Sequence, residues 1–323
     1  MGSLLVAVTD SVFPDLEPAR QVLADIGAEL QLANEPTPEA ILDIARQAGG
    51  LLVTYVQVTR DIIEQLDRCR VIARFGIGVD NIDIQAATRA GIVVTYVPDY
   101  CIDEVSDHAL ALLLTLARKI TYADRRVQAG QWEMRAVVPL HRLRGRTLGL
   151  VGFGKIPRAL APKAQALGLT VVTYDPYVSD EVTVPLGVGR VDFDELLRSA
   201  DYISIHAPLT AETHHMFNAD AFRQMKPGAL LINTARGPLV DERALADALD
   251  EGQLAGAGLD VVPQEPPPAD SPLLGRDNVI LTPHIGFYSE ESLVELQTKA
   301  AQEVARVLSG ESPRYPVNPE VLE

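Results

Sequence analysis

The sequence is poor in cysteine and has no apolar run long enough to cross a membrane. Its 323 residues include two cysteines, Cys69 and Cys101, too few and too isolated for a disulfide framework or a structural zinc site. The longest apolar helix-like run covers only residues 109–117, well short of a membrane span. The amino terminus lacks the basic and apolar regions of a signal peptide. We therefore expect a soluble, cytoplasmic protein without a bound metal.

Positive charge is also scarce. The chain has 28 Lys and Arg residues against 44 Asp and Glu residues, which gives a formal net charge of −16. A surface this acidic repels phosphate backbones and anionic lipid, so we expect neither a nucleic-acid nor a membrane partner. Apolar residues make up 47% and charged residues 22% of the chain, an ordinary globular composition. The length is about twice that of a typical single domain and predicts two domains.

Short β-rich apolar runs alternate with helical patterns along the whole chain. Strands of about five residues separated by helices of about ten predict βαβ units, parallel sheets and right-handed crossovers, and therefore an α/β fold. The predicted strands cover residues 4–8, 51–55, 71–75, 92–96, 147–153, 169–175, 202–206, 229–233, 255–261 and 278–284. The predicted helices cover residues 16–27, 61–67, 83–90, 101–120 and 291–310, the last ending at Gly310.

A glycine-containing turn follows the predicted strand 147–153. Gly152 allows a tight turn, and Gly154 lets backbone amides approach a pyrophosphate at the start of the next helix. The third glycine of the dinucleotide-binding pattern is replaced by Pro157. Proline is tolerated there because first-turn amides have no intrahelical partner. Taken alone, the turn also fits an ordinary βαβ connection.

An acidic residue stands where a dinucleotide-binding fold needs one. Asp175 ends the following strand, and a carboxylate at this spacing accepts from a ribose 2′-hydroxyl. Pro176 and Tyr177 follow it, with no adjacent Arg to receive a 2′-phosphate. The pattern therefore favours NAD over NADP.

Three ionisable residues come just after predicted strands in the second half: Arg236, Glu265 and His284. The carboxyl ends of strands in a doubly wound sheet form the ligand crevice, so these side chains are expected to converge. Arg can bind a carboxylate in bidentate fashion, and a His paired with Glu can act as an acid. Reduction of a 2-keto acid needs this set. Taken singly, Arg236 also fits a surface ion pair, Glu265 a loop acid and His284 a strand-end histidine.

At these residues the sequence resembles the D-isomer-specific 2-hydroxyacid dehydrogenases. The resemblance covers nearly the whole chain, and two of its blocks, VPDYC and HIGFYSEES, are most similar to the branch that contains the C-terminal binding proteins. The blocks are RFGIGVDNID (74–83), VPDYCIDEVSDHALALLL (97–114), GFGKI (152–156), HAPLT (206–210), LINTARGPLVDERAL (231–245), LDVVPQEP (259–266) and TPHIGFYS (282–289).

The resemblance implies an NAD-dependent enzyme that forms a homodimer and acts on a small 2-keto or 2-hydroxy acid. It implies two domains of doubly wound parallel sheet. Residues 1–99 and 288–323 would form a flavodoxin-like substrate domain, and residues 100–287 a Rossmann NAD-binding domain. Hydride would move between nicotinamide C4 and substrate C2, with His284 as acid/base.

The resemblance also implies roles for individual residues. Arg236, Glu265 and His284 would be the catalytic trio, and substrate would be bound by Arg74, Ile77, Gly78 and Phe287. The cofactor-binding residues would be Gly152, Gly154, Lys155, Ile156, Arg158, Asp175, His206, Ala207, Pro208, Thr213, Thr234, Ala235, Asp260 and His284.

Two other functions stay open on the sequence. A D-3-phosphoglycerate dehydrogenase would need extra cations for the phosphate, which Arg74 and Arg135 could supply. A protein similar to the C-terminal binding proteins would sense NAD(H) with little turnover. Glu265 stands where formate-oxidising relatives carry an amide, which argues against formate oxidation. Elsewhere, His108 fits a structural, hydrogen-bonded histidine, and His214 and His215 lack neighbouring metal ligands.

Overall fold

The computed structural model describes residues 4–323, which divide into two compact units. One unit comprises the chain up to Tyr100 together with Ser289–Glu323, and the other comprises Cys101–Tyr288. The sequence places these divisions at 99/100 and 287/288. Within the described residues, no helix is long and apolar enough to span a membrane.

Strands and helices alternate along most of the described chain. In chain order they are β1 (Leu4–Val8), α1 (Glu17–Ala24), β2 (Ala28–Leu32), α2 (Pro38–Ala45), β3 (Gly50–Val53), α3 (Arg60–Ile63), β4 (Val71–Arg74), α4 (Ile84–Arg89), β5 (Val93–Thr95), α5 (Ile102–Ala117), α6 (Ile120–Gln128), β6 (Thr147–Val151), α7 (Lys155–Ala166), β7 (Thr170–Tyr174), α8 (Asp180–Thr183), β8 (Gly189–Arg190), α9 (Phe193–Ser199), β9 (Tyr202–Ile205), α10 (Ala219–Gln224), β10 (Ala229–Asn233), α11 (Glu242–Asp250), β11 (Leu254–Leu259), β12 (Val279–Leu281) and α12 (Glu290–Leu308).

The first unit is built on a parallel sheet with strand order β2-β1-β3-β4-β5. This is the flavodoxin-like order of a doubly wound sheet. Its central strands β3 and β4 are buried along their whole length, as parallel strands covered on both faces must be. The predicted flavodoxin-like fold is confirmed for this unit.

The second unit contains a parallel sheet with strand order β12-β11-β10-β9-β6-β7-β8. Counted from β6, this is the Rossmann order with one additional strand beyond β11. The chain direction across the sheet reverses between β6 and β9, and ligands bind at such a switch point. The predicted second doubly wound sheet is therefore also confirmed.

Some predicted elements differ from the structure. The edge strands β2 and β8 were not expected, because β2 buries only Leu30 and β8 spans two exposed residues, so neither has a continuous apolar run. Helix α2 was likewise not expected. The helix expected over 101–120 ends at Ala117, and Lys119 takes a left-handed conformation with φ of 52° before α6 begins.

Candidate active site

The three strands that precede the predicted catalytic residues lie side by side and end level. Asn233 of β10 pairs with Leu259 of β11, and Leu259 pairs in turn with Leu281 of β12. Because parallel strands present their carboxyl ends at the same edge, the loops that follow them emerge together. Arg236, Glu265 and His284 are carried by these three loops.

Glu265 and His284 are in direct contact. His284 Nδ1 lies 2.8 Å from Glu265 Oε2, and Glu265 Oε1 accepts from the backbone N–H of Val262 at 3.2 Å. The side chains are 25% (His284) and 36% (Glu265) exposed. Since a carboxylate can only accept, the proton of a neutral imidazole is held on Nδ1. The opposite nitrogen, Nε2, then carries the lone pair that can take up a proton.

Asp260 holds the loop that carries His284. Its Oδ1 accepts from Ile285 N–H at 2.9 Å and its Oδ2 from Gly286 N–H at 2.7 Å, while its backbone carbonyl accepts from His284 N–H at 2.9 Å. Burial alone would raise the pKa of the Asp260 carboxyl, but the side-chain and backbone donors around it outweigh burial and hold that pKa below its ordinary value. The carboxyl is therefore ionised at neutral pH.

Close packing of two backbones ties the Arg236 loop to the Glu265 loop. A Cβ at Gly237 would lie 2.0 Å from the carbonyl carbon of Val262, a distance that no side chain could keep. The Arg236 backbone carbonyl accepts from Asn233 Nδ2 at 2.8 Å, and Arg236 Nη1 donates to the Ala235 carbonyl at 2.7 Å. Arg236 and Glu265 are thus each fixed by contacts made within three residues of them in the chain.

The glycine turn lies at the switch point of the sheet. Gly152 has φ of +89°, and a Cβ there would lie 2.9 Å from the backbone of His206, at the end of β9. Only glycine fits this close approach without strain. A Cβ on Gly154 would meet nothing within 4 Å. Open space therefore lies beside the amino terminus of α7, which begins at Lys155.

The first turn of α7 accommodates Pro157, which stands in place of the third glycine. Pro157 is the third residue of the helix and is buried, at a position where the backbone needs no intrahelical donor. Arg158 Nε donates to the Phe153 carbonyl at 2.8 Å. Ile156, between Lys155 and Pro157, is partly buried. The helix therefore begins normally despite the proline.

The carboxylate of Asp175 is turned toward the glycine turn. Its Oδ2 accepts from Phe153 N–H at 2.8 Å, and its Oδ1 accepts from Tyr177 N–H at 2.8 Å. A carboxylate has about four acceptor sites, so each oxygen can still accept from a hydroxyl. This placement suits an acceptor for ribose hydroxyls.

The loop after β9 carries the next group of predicted cofactor residues. His206 Nε2 lies 2.9 Å from Ser204 Oγ, and desolvation lowers the pKa of His206 to about 3, so this imidazole is neutral. Ala207 is buried. Thr213 Oγ1 donates to the Pro208 carbonyl at 2.7 Å, which closes the loop.

The residues of the second unit fit the dinucleotide that the sequence predicts. The space at Gly154 would admit a pyrophosphate beside the amino terminus of a 12-residue helix. Thr234 Oγ1, after β10, is buried without a hydrogen-bond partner among residues 4–323, as expected of a group that completes its bonding with a ligand. Ala235 follows it, partly buried.

Other predicted residues lie elsewhere or have other contacts. Arg74, Ile77 and Gly78 belong to the first unit, where the Arg74 guanidinium lies 5.8 Å from the ring centroid of Tyr55. Phe287 lies in the second unit, and its ring is 6.1 Å from that of His284. The Asp260 side chain is only 2% exposed, so its contact with a nicotinamide carboxamide stays a prediction.

Sequence reasoning missed residues that support the site. Gly237 and Thr282 were not singled out, and His108 was expected to be structural. His108 is hydrogen-bonded, as expected, but to Thr282, which directly precedes Pro283 and His284. Gly237 follows Arg236 directly, and that position was a signal for close backbone approach. No sequence pattern linked His108 to Thr282, because 174 positions separate them.

Comparison with known proteins identifies one family. Residues 110–286 match the model of a family described as "D-isomer specific 2-hydroxyacid dehydrogenase, NAD binding domain". The chain is 40% identical over 315 residues to the D-3-phosphoglycerate dehydrogenase of Methanocaldococcus jannaschii, a match that covers 97% of this chain and 59% of that relative. It is 40% identical over 304 residues to the glyoxylate reductase of Thermococcus litoralis, covering 91% of this chain and 92% of that one.

A solved structure agrees with these relatives. The D-lactate dehydrogenase from Aquifex aeolicus, complexed with NAD and lactic acid, matches with a TM-score of 0.86 at 29% identity. The match covers 95% of this chain and 96% of that one. The chain thus spans less than two thirds of the Methanocaldococcus relative and nearly the full length of the other two.

Proposed function

Because the chain belongs to the D-isomer-specific 2-hydroxyacid dehydrogenases, we propose that it reduces a small 2-keto acid to the D-2-hydroxy acid, reversibly, with NAD as cofactor. The observation that carries this proposal is the contact of 2.8 Å between Glu265 and His284, in loops that emerge from neighbouring strands beside that of Arg236. The three similar proteins described above are named for three different keto or hydroxy acids, so the substrate itself is left to experiment.

The protein groups act on the substrate in complementary ways. When bound, the nicotinamide supplies the hydride that reaches the keto carbon. The Arg236 guanidinium binds the substrate carboxylate, for which its planar donors are suited. His284 gives the Nε2 proton to the keto oxygen as negative charge develops there. Glu265, at Nδ1, stabilises the positive imidazole that must be present before this transfer. In the reverse direction His284 takes the proton from the hydroxyl.

We propose NAD rather than NADP because of Asp175. Its carboxylate lies against the glycine turn through Phe153 N–H, and a 2′-phosphate near it would meet like charge. Asp175→Ala should therefore lower the preference of the enzyme for NADH over NADPH. The ratio of kcat/KM values for the two cofactors measures this directly, and an unchanged ratio would contradict the assignment.

The function is tested by following NADH consumption with a panel of keto acids. The panel contains pyruvate, glyoxylate, hydroxypyruvate, 3-phosphohydroxypyruvate, and branched and thioether 2-keto acids. Turnover of any of them to a product of D configuration, or to glycolate from glyoxylate, supports the proposal. A strong preference for 3-phosphohydroxypyruvate would make the protein a phosphoglycerate dehydrogenase. Tight NADH binding without turnover would favour a nucleotide-sensing binding protein instead.

We also propose that the protein is a homodimer that associates through residues 120–138. Five large apolar side chains of this segment are exposed, with Trp132 87% and Met134 82% accessible. Such a concentration on one short segment is typical of a protein–protein interface. The five residues are Ile120, Val127, Trp132, Met134 and Val138.

Sedimentation velocity of wild type and Trp132→Glu tests the dimer. The wild-type protein should sediment as a dimer and the variant as a monomer, because a buried unpaired carboxylate opposes association. Val184→Glu, at a 68% exposed apolar residue outside the segment, is the matched control and should stay dimeric. A monomeric wild type, or a Trp132→Glu dimer of unchanged stability, would refute this interface.

A further inference from the structure

His108 connects helix α5 to the loop that carries His284. Its Nε2 lies 2.9 Å from Thr282 Oγ1 and 3.3 Å from Asp260 Oδ1. Thr282 Oγ1 in turn donates to Asp260 Oδ1 at 2.6 Å. All three residues belong to the second unit. The contacts therefore form one continuous chain from the helix to the buried carboxylate.

The direction of these hydrogen bonds follows from their chemistry. An ionised carboxylate has no proton to give, so the Thr282 hydroxyl uses its only proton on Asp260. The hydroxyl oxygen can then only accept from His108, which places a proton on Nε2. The His108 side chain is 20% exposed and that of Asp260 is 2% exposed. Hydrogen bonds to a buried charge of this kind are among the stronger ones in proteins.

Asp260 in turn holds the backbone of the loop that carries His284. Its two oxygens accept from the N–H groups of Ile285 and Gly286, the two residues that follow His284. His284 itself has φ of 54°, a left-handed conformation that costs a non-glycine residue free energy. A Cβ at Gly286 would lie 2.8 Å from Asp260 Oδ2 and 3.4 Å from His108 Cδ2. The loop is therefore packed directly against both side chains.

We propose that His108 is a positioning residue: through Thr282 and Asp260 it fixes the carboxylate that holds the 284–286 loop, and so keeps His284 aligned with Glu265. Its effect on turnover rests on the function proposed above, whereas its effect on the loop does not. In this role His108 transfers no proton to the substrate. A histidine that merely filled space on α5 would have no need of a donor at Nε2.

Two substitutions separate the hydrogen bond from packing. His108→Leu removes the donor while keeping most of the volume, and His108→Gln places an amide N–H near the original Nε2. Asp107→Asn, at the preceding residue of α5, is the matched control, because Asp107 is 67% exposed and paired with Lys163 at 2.7 Å. The double variant of His108→Leu with Asp260→Asn tests whether His108 acts through Asp260.

The first measurement is amide hydrogen exchange in wild type and the variants, followed over the segment 282–288. His108→Leu should speed exchange at Ile285 and Gly286 by about tenfold. The reason is that the Asp260 carboxylate, which accepts from both N–H groups, is held less firmly without His108. His108→Gln should exchange within about threefold of wild type, and Asp107→Asn like wild type. Unchanged exchange in His108→Leu would overturn the proposal, as would equally fast exchange in His108→Leu and His108→Gln.

Steady-state kinetics with a turned-over keto acid is the second measurement. His108→Leu should lower kcat by about tenfold with KM for the keto acid nearly unchanged, because Arg236 is not touched. In the Asp260→Asn background His108→Leu should cost less than about twofold more. A full additional loss there would show that His108 acts by another route. If wild type turns over no keto acid while exchange still responds, the proposed function fails and the positioning of the loop stands.

Discussion

At the scale of single residues, the site depends on groups whose protonation and conformation are set by their neighbours. Glu265 fixes which nitrogen of His284 carries the proton, and the Asp260 carbonyl accepts from the His284 backbone in its left-handed conformation. Such conformations persist only where surrounding contacts hold them. The proposed catalytic trio could be predicted from the sequence because each member follows a strand, but the donors that surround Asp260 could not.

Asp260→Asn should destabilise the protein in a pH-dependent way. The amide retains one acceptor oxygen and should leave the fold intact, but it loses an acceptor for Ile285 or Gly286 N–H. This loss should lower the free energy of unfolding by about 2 kcal/mol at neutral pH. Because the folded-state pKa of Asp260 lies below its ordinary value of 3.8, this stabilisation is full above that value and is lost as pH falls through the folded-state pKa.

Urea unfolding of wild type and Asp260→Asn at successively lower pH measures this difference. The gap between the two proteins should stay constant from neutral pH down to about pH 5 and close in more acidic solution. Glu251→Gln, at an exposed position after α11, controls for loss of a carboxylate. A gap that widens in acid would contradict the sign of the pKa shift.

At the scale of elements, the function follows from where strands end and how tightly the following loops approach one another. The central strands themselves could be predicted from the βαβ pattern, since they are continuous apolar runs. The edge strands β2 and β8 could not, because their side chains are mostly exposed. A glycine can signal that a loop makes a close contact, but its partner, such as Val262 for Gly237, leaves no trace in the local sequence, because that partner is set by strand order.

The two glycines of the turn after β6 should respond differently to alanine. Gly154→Ala should fold with an unchanged melting temperature, since its Cβ meets nothing within 4 Å. It should bind NADH about 10–100-fold more weakly, because the methyl occupies the space expected for the pyrophosphate. Gly152→Ala should lose stability, owing to its φ of +89° and its contact with the His206 backbone. Thermal melts and NADH titration separate the two, and NADH affinity unchanged in Gly154→Ala would refute the cofactor site.

Gly237→Ala should disrupt the packing between the loops that carry Arg236 and Glu265. The added methyl cannot fit against Val262, so the loops of Arg236 and Glu265 must separate, at a cost of about 3 kcal/mol or more. We expect a lower melting temperature and a large loss of kcat. Gly189→Ala is the control, since its Cβ would make only an ordinary contact of 3.6 Å with Val172. Wild-type turnover in Gly237→Ala would show that this packing is dispensable.

At the scale of the whole molecule, one chain forms two doubly wound units, and it enters the second at Cys101 and returns to the first at Ser289. The net charge of −16 suits a small-molecule enzyme better than a nucleic-acid-binding protein. The family could be recognised from sequence because its motifs cover both units. The substrate could not, because relatives that share about 40% identity over most of this chain are named for different acids.

His284 is the proposed acid/base of a keto-acid reductase. The most direct measurement is the rate of NADH consumption by wild type and His284→Ala with the best keto acid of the panel, alongside NADH affinity for each protein. The variant should lose at least about 100-fold in kcat, the usual contribution of a general acid. NADH affinity should change by less than about threefold, because the glycine turn and Asp175 are untouched. Turnover by His284→Ala at the wild-type rate would contradict this role of His284.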